Sequence, residues 1–412
     1  MRLTYKFKTK RNKSLSNLCR ISKDLYNQAN FVINQRLKNN AWIRYIELNS
    51  IMKKIENLEG RVNYRLLKAQ TSQQILRLLD KNWASYFRSL NEYKKNNSKF
   101  KGIPKPPKYL KKDSENLLIY TNQNSSIKNG FINLSKKLKI YVPQFEKFED
   151  KINNYQQIRI LPRKGFYDIE LVYEYKQRNE ILDYDTFGGV DFGVNNLATL
   201  VTEQSSIIYN GKPCKSINQF YNKTSSNLKS IRDHNKKDRY ERRTWNNVKL
   251  SKILMYRNNF INDYFHKVSK HLVNHLIKNQ IGNVVIGINR NWKDSISIGK
   301  KNNQNFLSLP HSKLFNLIKY KCEMVGIKVI EQEESYTSKC DSLPIESVER
   351  HEVYSGKRIK RGLFQSSTGK LINSDVNGAL NILRKVIGDS HTCIYEIINR
   401  GFLFNPVKVR VA

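Results

Sequence analysis

Two aspartates stand where a carboxylate needs a physical reason. Asp191 lies inside GGVDFG, an otherwise apolar run that reads as a strand, and Asp375 opens the helical pattern SDVNGALNILRKVIG. A buried carboxylate is costly unless it is paired, hydrogen-bonded or bound to a metal. Glycines at 188, 189 and 193 leave room beside Asp191 for a backbone or ligand to come close. Taken singly, each residue has an ordinary explanation: Asp191 as a hydrogen-bonded turn residue, Asp375 as the cap of a helix. Taken together, they suit metal-assisted hydrolysis, in which carboxylate oxygens hold a hard divalent cation that activates water. That chemistry requires a fold that brings positions 191 and 375 together.

The flanking sequence predicts such a fold. FGGVDFGVNNLATLVT and SSIIYN read as three strands, with a turn at Val194-Asn195-Asn196. Residues 216–280 read as a long basic helical hairpin, INQFYNKTSSNLKSIRDHNKKDRYERRTW in its first half and FINDYFHKVSKHLVNHLIKN in its second. A buried strand at 281–289, a helix at 312–326, a strand at 327–333 and a helix at 374–388 follow. Strands succeeded by alternating α and β elements indicate an RNase H-like mixed sheet, which presents one Asp from its first strand and another from its last helix to a shared site.

Upstream, RLTYKFKT alternates like a half-buried strand, and Leu18, Ile21, Leu25, Ala29 and Val32 recur on one face of a helix. Thr71-Ser72-Gln73-Gln74 has the form of a capping box, opening a helix through Ile75, Leu79, Trp83, Tyr86 and Leu90. Residues 94–112 hold eight lysines, no acids and three of the nine prolines. This stretch is either a solvated linker or a phosphate-contacting strap, with Lys105, Lys108, Lys111 and Lys112 as candidate contacts. Short runs from 115 to 180 read as antiparallel strands that, with the N-terminal strand, suggest a small β-barrel interrupted by the helical lobe. The fold class is therefore α+β and multidomain.

Bulk properties narrow the partners. Across 412 residues, 74 Lys and Arg oppose 35 Asp and Glu, a formal charge of +39. Self-repulsion on that scale calls for a polyanion. Tyr (23) and Phe (18) interleave with lysine throughout, which suits base stacking as well as phosphate contact. Composition does not separate RNA from DNA. Cys19, Cys214, Cys322, Cys340 and Cys393 form no CxxC pair, so neither a disulfide framework nor a zinc ribbon is expected. With no apolar signal core and no membrane-length run, the expectation is a soluble, cytoplasmic, nucleoid-associated bacterial protein without a membrane partner.

VDFGVNNLAT resembles the first RuvC motif of TnpB proteins, the nucleases of bacterial insertion sequences. INSDVNGALNILRK resembles their third, with Asp375 and the flanking Asn377, Gly378 and Asn381. PKPPKYLKK and NNQNFLSLPHSKLFNLIKYKCEMVGIKVIEQEESYTSK are similar to the family as well, most closely from 188 to 388. The resemblance implies a β-barrel wedge domain (1–12 and 100–182) holding a helical recognition lobe (13–99), then an RNase H-like RuvC nuclease (183–338 and 372–390). It implies an RNA-guided DNA endonuclease that takes its guide RNA from the transposon end. Target double-stranded DNA would be cut beside a short adjacent motif, using two magnesium ions, with manganese able to stand in. A miniature type V CRISPR effector shares the same motifs, whereas direct strand transfer by a transposase gains little support from a RuvC site.

The chain departs from the family pattern twice. Where the second RuvC motif ends a strand with glutamate, VVIGIN places Gly287. Either the site is inert and the protein binds DNA as a repressor, or the acid has moved. IKVIEQE should lie beside VVIGIN, and sites of such sheets gather at the carboxyl ends of neighbouring strands. Glu334 is the first candidate for the relocated third ligand and Glu333 the second, in keeping with relatives that carry an ExYTS-like motif after a glycine-bearing second strand. The second departure is the interval 339–371, a basic hairpin with Lys357, Arg358, Lys360 and Arg361 where many relatives carry two CxxC pairs. It is either a DNA guide or a solvated loop; no zinc is expected. Residues 391–412 are expected as a C-terminal tail.

Overall fold

The alternation in RLTYKFKT becomes a real strand because its partner alternates in step. β1 (Arg2–Lys10) pairs antiparallel along its whole length with β7 (Phe166–Glu174), setting Phe7 opposite Ile169. In this computed structural model, residues 1–135, 138–149, 154–178, 180–235, 248–289 and 307–411 are described, with 299, 303 and 304. They divide into two compact units, Met1–Lys176 and Gln177–Ala412. No described helix is long and apolar enough to cross a membrane.

In the first unit, β7 also pairs with β6 (Tyr155–Arg163), and β6 with β2 (Leu118–Thr121). The strands β3 (Ser126–Lys128), β4 (Phe131–Ser135) and β5 (Leu138–Tyr141) form a separate sheet. Among the described residues these pairings make two open sheets, and the closed barrel expected from the run of strands is not formed. Asn124 is part of the reason: its side chain accepts from the Thr121 amide at 2.8 Å and fixes a turn that sends the chain away from β2.

Among the described residues, this unit also holds the long helices α1 (Lys13–Lys38) and α3 (Ala69–Lys95) and the shorter α2 (Tyr45–Met52). Asn12 caps α1 by accepting from the Leu15 amide at 2.8 Å. The expected capping box at Thr71 is not used, because α3 begins two residues earlier. Thr71 and Ser72 are buried instead and bond to tertiary partners, Ser72 Oγ donating to the Tyr64 carbonyl at 2.8 Å. The buried face of α1 is also rotated from the apolar pattern. Leu18, Ile21 and Val32 are only partly buried, while Ser22, Lys23 and Asn30 are buried.

The segment that reads as linker or strap explains that rotation. Asn27 Nδ2 donates to the Leu110 carbonyl at 2.9 Å and its Oδ1 accepts from the Leu110 amide at 2.8 Å. Asn30 Nδ2 reaches the Pro107 carbonyl, Lys23 Nζ the Lys112 carbonyl, and Ser22 Oγ the Leu117 carbonyl. Prolines supply no amide to a helix or sheet, so side chains of α1 take up the carbonyls of this extended run. The backbone is thereby strapped to the helix, and Lys105, Lys108, Lys111 and Lys112 point outward, exposed.

The second unit is built on one mixed sheet. Its order is β12 (Lys328–Glu333), β11 (Ile281–Ile288), β8 (Asp183–Asp191), β9 (Asn196–Val201), β10 (Ser206–Asn210) and β16 (Val407–Val409). β8, β9 and β10 run antiparallel in succession, whereas β11 lies parallel to both β8 and β12. Period-two alternation sends Val284 and Ile286 to one face and Val285 to the other. Packed on the first face are α4 (Lys212–Asn235), α5 (Val248–Lys278) and α6 (His311–Val325). On the second are α7 (Ser374–Ile387) and α8 (Thr392–Asn399). Each fully buried side chain, such as Phe265 or Leu380, contributes about 1.5–3 kcal/mol. The expected helical hairpin over 216–280 corresponds to α4 and α5; its residues 236–247 lie outside the described residues. The stretch expected as a tail carries α8 and the edge strand β16, which pairs parallel to β10.

Asn27→Ala should release the strap without touching the core. Two hydrogen bonds at about 0.5–1.5 kcal/mol each would be lost, so trypsin cleavage after Lys108, Lys111 and Lys112 should accelerate about tenfold. An unchanged digestion rate would show that the strap is held by something else.

Candidate functional site

Parallel pairing puts the carboxyl ends of β8, β11 and β12 side by side. Asp191 is the last residue of β8, Glu334 follows the last residue of β12, and Asp375 lies in the first turn of α7. Glycine lets the helix come down onto the strand. A Cβ at Gly189 would collide with the Ala379 carbonyl oxygen, and one at Gly378 would stand 3.1 Å from Asp191 Oδ2. The ordinary role suggested for Asp375 belongs to a neighbour: Asn373 is the N-cap of α7, its Oδ1 accepting from the Asp375 amide at 3.0 Å. Asp375 Oδ2 instead accepts from Asn196 Nδ2 at 2.6 Å.

Gly287 is empty of a side chain for a steric reason. A Cβ there would meet Ile382 Cδ1 of α7 at 2.5 Å, and would lie 3.2 Å from Glu334 Oε2. The carboxylate of Glu334 thus comes in from the adjacent strand over the space that a side chain at 287 would occupy. Glu333 is turned elsewhere, bonded to the amide and hydroxyl of Ser335 and 3.4 Å from Lys385 Nζ. After Glu334, Tyr336 takes a left-handed backbone with φ of 67°. A non-glycine residue held there is strained unless its surroundings fix it. Thr337 Oγ1 donates to the Glu334 carbonyl at 2.8 Å, and Asn381 Nδ2 of α7 donates to the carbonyls of Thr337 and Cys340.

The electrostatics follow from this crowding. Burial, then the charges of Asp375 and Glu334, push the Asp191 carboxyl well above the usual carboxylate range. Burial likewise raises Asp375, opposed by the Asn196 hydrogen bond and by the charges of Arg358 and Arg361. Burial, then Glu333, pushes Glu334 up to about 6. Against its own burial, Glu333 is held below the usual range by Ser335 and Lys385. Among the described residues, no three His, Cys, Asp or Glu side chains are drawn together tightly enough to hold a metal ion unaided. The oxygen-only donor set still fits a hard divalent cation such as Mg²⁺ or Mn²⁺, which would relieve the like charges that now raise one another. Asp191 and Asp375 would hold it, with Glu334 as third donor.

The basic residues expected at 357–361 lie in a hairpin, β13 (Lys357–Lys360) and β14 (Leu363–Gln365), extended by β15 (Leu371–Asn373) directly into α7. All four of Lys357, Arg358, Lys360 and Arg361 are exposed. A buried carboxylate holds this segment in place: Asp341 accepts from Ser366 Oγ at 2.7 Å and from the Ser367 amide at 2.7 Å. Asn377 of α7 ties in the same loop, donating to the Cys340 carbonyl and accepting from the Ser342 amide. The four lysines of the strap belong to the first unit.

Sequence reasoning passed over Asn196 and Asp341. Asn196 reads as a turn residue in VNN, and only the return of β9 along β8 shows that it faces Asp375. Asp341 carries no motif; its burial among hydroxyls is set by residues 25 positions away.

Comparison with known proteins agrees with this architecture. A family model described as a probable transposase, OrfB_IS605, matches residues 171–293. A second, described as the Cas12f1-like TNB domain, matches residues 311–382. A TnpB-like protein, ORF457 of Acidianus two-tailed virus, is 25% identical over 215 residues, covering 48% of this chain and 41% of the viral protein. The chain thus spans less than half the length of that relative. The cryo-EM structure of a Cas12f1–sgRNA–target DNA complex shares the fold, with a TM-score of 0.54 and 16% identity over 90% of this chain and 83% of that one. The class is a mixed α+β fold of the Cas12f kind. Within it, residues 171–293 and 311–382 are similar to the probable-transposase and Cas12f1-like families, and about half of the chain is similar to a TnpB-like protein.

Charge relief gives a stability test. A carboxyl whose folded pKa is raised binds more protons folded than unfolded, so stability falls as pH climbs from the unfolded value to the folded one. For Glu334 that window runs from about 4.5 to about 6. In EDTA, Glu334→Gln should gain on the wild type by about 1–2 kcal/mol across it, and Mg²⁺ should narrow the gap at pH 7. A stability difference that is flat with pH in urea titrations would refute this reading.

Proposed function

We propose that the chain is an RNA-guided DNA endonuclease of a transposon, with Asp191, Glu334 and Asp375 as its hydrolytic site. The observation that carries this reading is the convergence of three carboxylates at one end of the mixed sheet, two of them pressed together by glycine-mediated contact of α7 with β8. The strand order and directions suit an RNase H-like sheet, with Asp191 on the first strand of the unit and Asp375 on the helix laid across it. Divalent magnesium, when bound, would supply an activated water and stabilise the leaving oxygen. For their part, Asp191 and Asp375 fix where such an ion sits, Asn196 orients Asp375, and Glu334 completes the donor set from the neighbouring strand.

The remaining assignments belong to the same proposal. Residues 1–12 and 100–182 would form the wedge, 13–99 the recognition lobe, and 183–338 with 372–390 the nuclease, the 339–371 hairpin guiding DNA toward it. The partners would be a guide RNA from the transposon end and target double-stranded DNA, as in the Cas12f1 complex named with its guide and target. The charge of +39 and the outward lysines at 105, 108, 111 and 112 suit two polyanions. The protein would hold the heteroduplex by backbone and shape, leaving sequence to base pairing.

One observation favours a second reading. Because no tight three-residue metal cluster is present among the described residues, a nuclease-inactive, RNA-guided DNA-binding repressor would share the rest of the structure. RNA that co-purifies with the chain supplies the guide for the deciding assay. Asp191→Ala and Asp375→Ala should each lower Mg²⁺-dependent cleavage about 10²–10³-fold or more, and Glu334→Gln similarly. Glu333→Gln should stay near wild type, and Asn196→Ala should lose about tenfold. No cutting by the wild type under any recovered guide would support the repressor. Cutting that survives both Glu334→Gln and Glu333→Gln would end the relocated-acid assignment.

A further inference from the structure

Beside the carboxylates lies a cavity of about 300 Å³ that the nuclease reading does not use, lined by Ser338, Lys339, Tyr354, Gly356, Arg358 and Phe364. Its chemistry is selective: two cations, two aromatic rings, a hydroxyl and no acid. Phe364 is buried, and Gly356 is the reason its ring can form the floor, since a Cβ at 356 would stand 2.5 Å from the ring carbons. Tyr354 is half-buried, with Lys339 Nζ 5.6 Å from its ring centroid and His351 edge-on to it at 5.4 Å. Lys339 and Arg358 are exposed, so their charges face solvent at the mouth.

The cavity is adjacent to the site on both sides. Ser338 and Lys339 belong to the loop that begins with Glu334, whose Thr337 is tied to α7 by Asn381. Arg358 projects from the hairpin close enough for its charge to act on both Asp191 and Asp375. A space of this size, at the lower limit for ligand pockets, takes one base with its phosphate and is too small for a duplex. Cations beside an aromatic face are the combination by which single strands are held without sequence preference.

We propose that this pocket receives one unstacked nucleotide of the DNA strand next to the scissile phosphate, its base on Tyr354 and its phosphate on Lys339 and Arg358. The proposal deepens the nuclease reading and rests on it for the identity of the strand. It makes Tyr354, Lys339 and Arg358 positioning residues, which set how the phosphodiester approaches the carboxylates.

The test uses the full chain in EDTA with a single-stranded oligothymidylate of about ten nucleotides carrying one 5-iododeoxyuridine. Ultraviolet cross-linking followed by peptide mass spectrometry should place an adduct on Tyr354. Lys339→Ala and Arg358→Ala should each lower its yield and reduce the salt slope of binding by about 0.7. Absence of an adduct at Tyr354, or a yield unaffected by both substitutions, would overturn the proposal. A second arm reads cleavage by the guide-loaded protein on DNA with a single abasic position beside the cut. Wild type and Tyr354→Phe should slow about tenfold on that substrate, whereas Tyr354→Ala, already slowed, should not respond. An equal abasic effect in Tyr354→Ala would also overturn the pocket. Failure of the nuclease reading looks different: no protein cuts any substrate, while the adduct at Tyr354 stands.

Discussion

The second unit is organised around two like charges held close together. Asp191 and Asp375 come from opposite ends of the unit's sequence, one from the first strand of the sheet and one from a helix laid across it. They meet because the helix backbone sits lower on the sheet than side chains would ordinarily allow, over Gly189 and with Gly378 facing Asp191. Each carboxyl is raised by burial, and Asp191 further by its neighbours, so the arrangement costs stability in the absence of a cation. Much of the surrounding polar structure serves to hold that approach. Asn373 caps the helix, Asn196 orients Asp375, and Asn377 and Asn381 fasten the loops that begin at Glu334.

The same close approach accounts for where the third acid stands. With Ile382 packed against position 287, a side chain on β11 has no room, and glycine is the residue that fits. Parallel pairing makes β12 the next strand whose carboxyl end opens on the site, and Glu334 follows its last residue. The strained Tyr336 and the Thr337 hydroxyl then turn the chain sharply away. The hairpin beyond is anchored by buried Asp341, so hydrogen bonds to hydroxyls and amides hold this segment. Such a satisfied buried carboxylate rigidifies its surroundings, which here include the hairpin whose exposed arginines act on the acids through their charge.

In the first unit, a polar stripe has an organising role of a different kind. Ser22, Lys23, Asn27 and Asn30 reach the carbonyls of a proline-rich run that cannot pair as helix or strand. That fastening turns a lysine-rich segment into a ribbon with its backbone fixed and its charges outward. Asn30 also accepts from Trp83 Nε1 at 2.9 Å, joining the strap to the core between α1 and α3.

Several features were legible in the residues alone. The two aspartates, the strand with its glycines, the buried strand expected at 281–289 and the helix expected at 374–388 all followed from periodicity and from the cost of burying charge. The choice of Glu334 as a candidate came from the family resemblance, which set Gly287 where a glutamate is usual, joined to the rule that neighbouring parallel strands present their carboxyl ends together. Other features depended on contacts between distant positions. Apolar spacing placed the buried face of α1 one step from where it lies, because the polar residues that bind the strap are invisible to a hydrophobic pattern. The capping box at Thr71 failed because tertiary partners for Thr71 and Ser72 outweighed a local hydrogen bond. The run of strands predicted a barrel, but strand order is set by turns and edges, which alternation does not encode. Composition and local pattern thus determined which elements form and which residues carry charge. Which of Glu333 and Glu334 points inward, and that Asn196 and Asp341 matter at all, were decided by packing, because each depends on atoms brought together only when the sheet and its helices close.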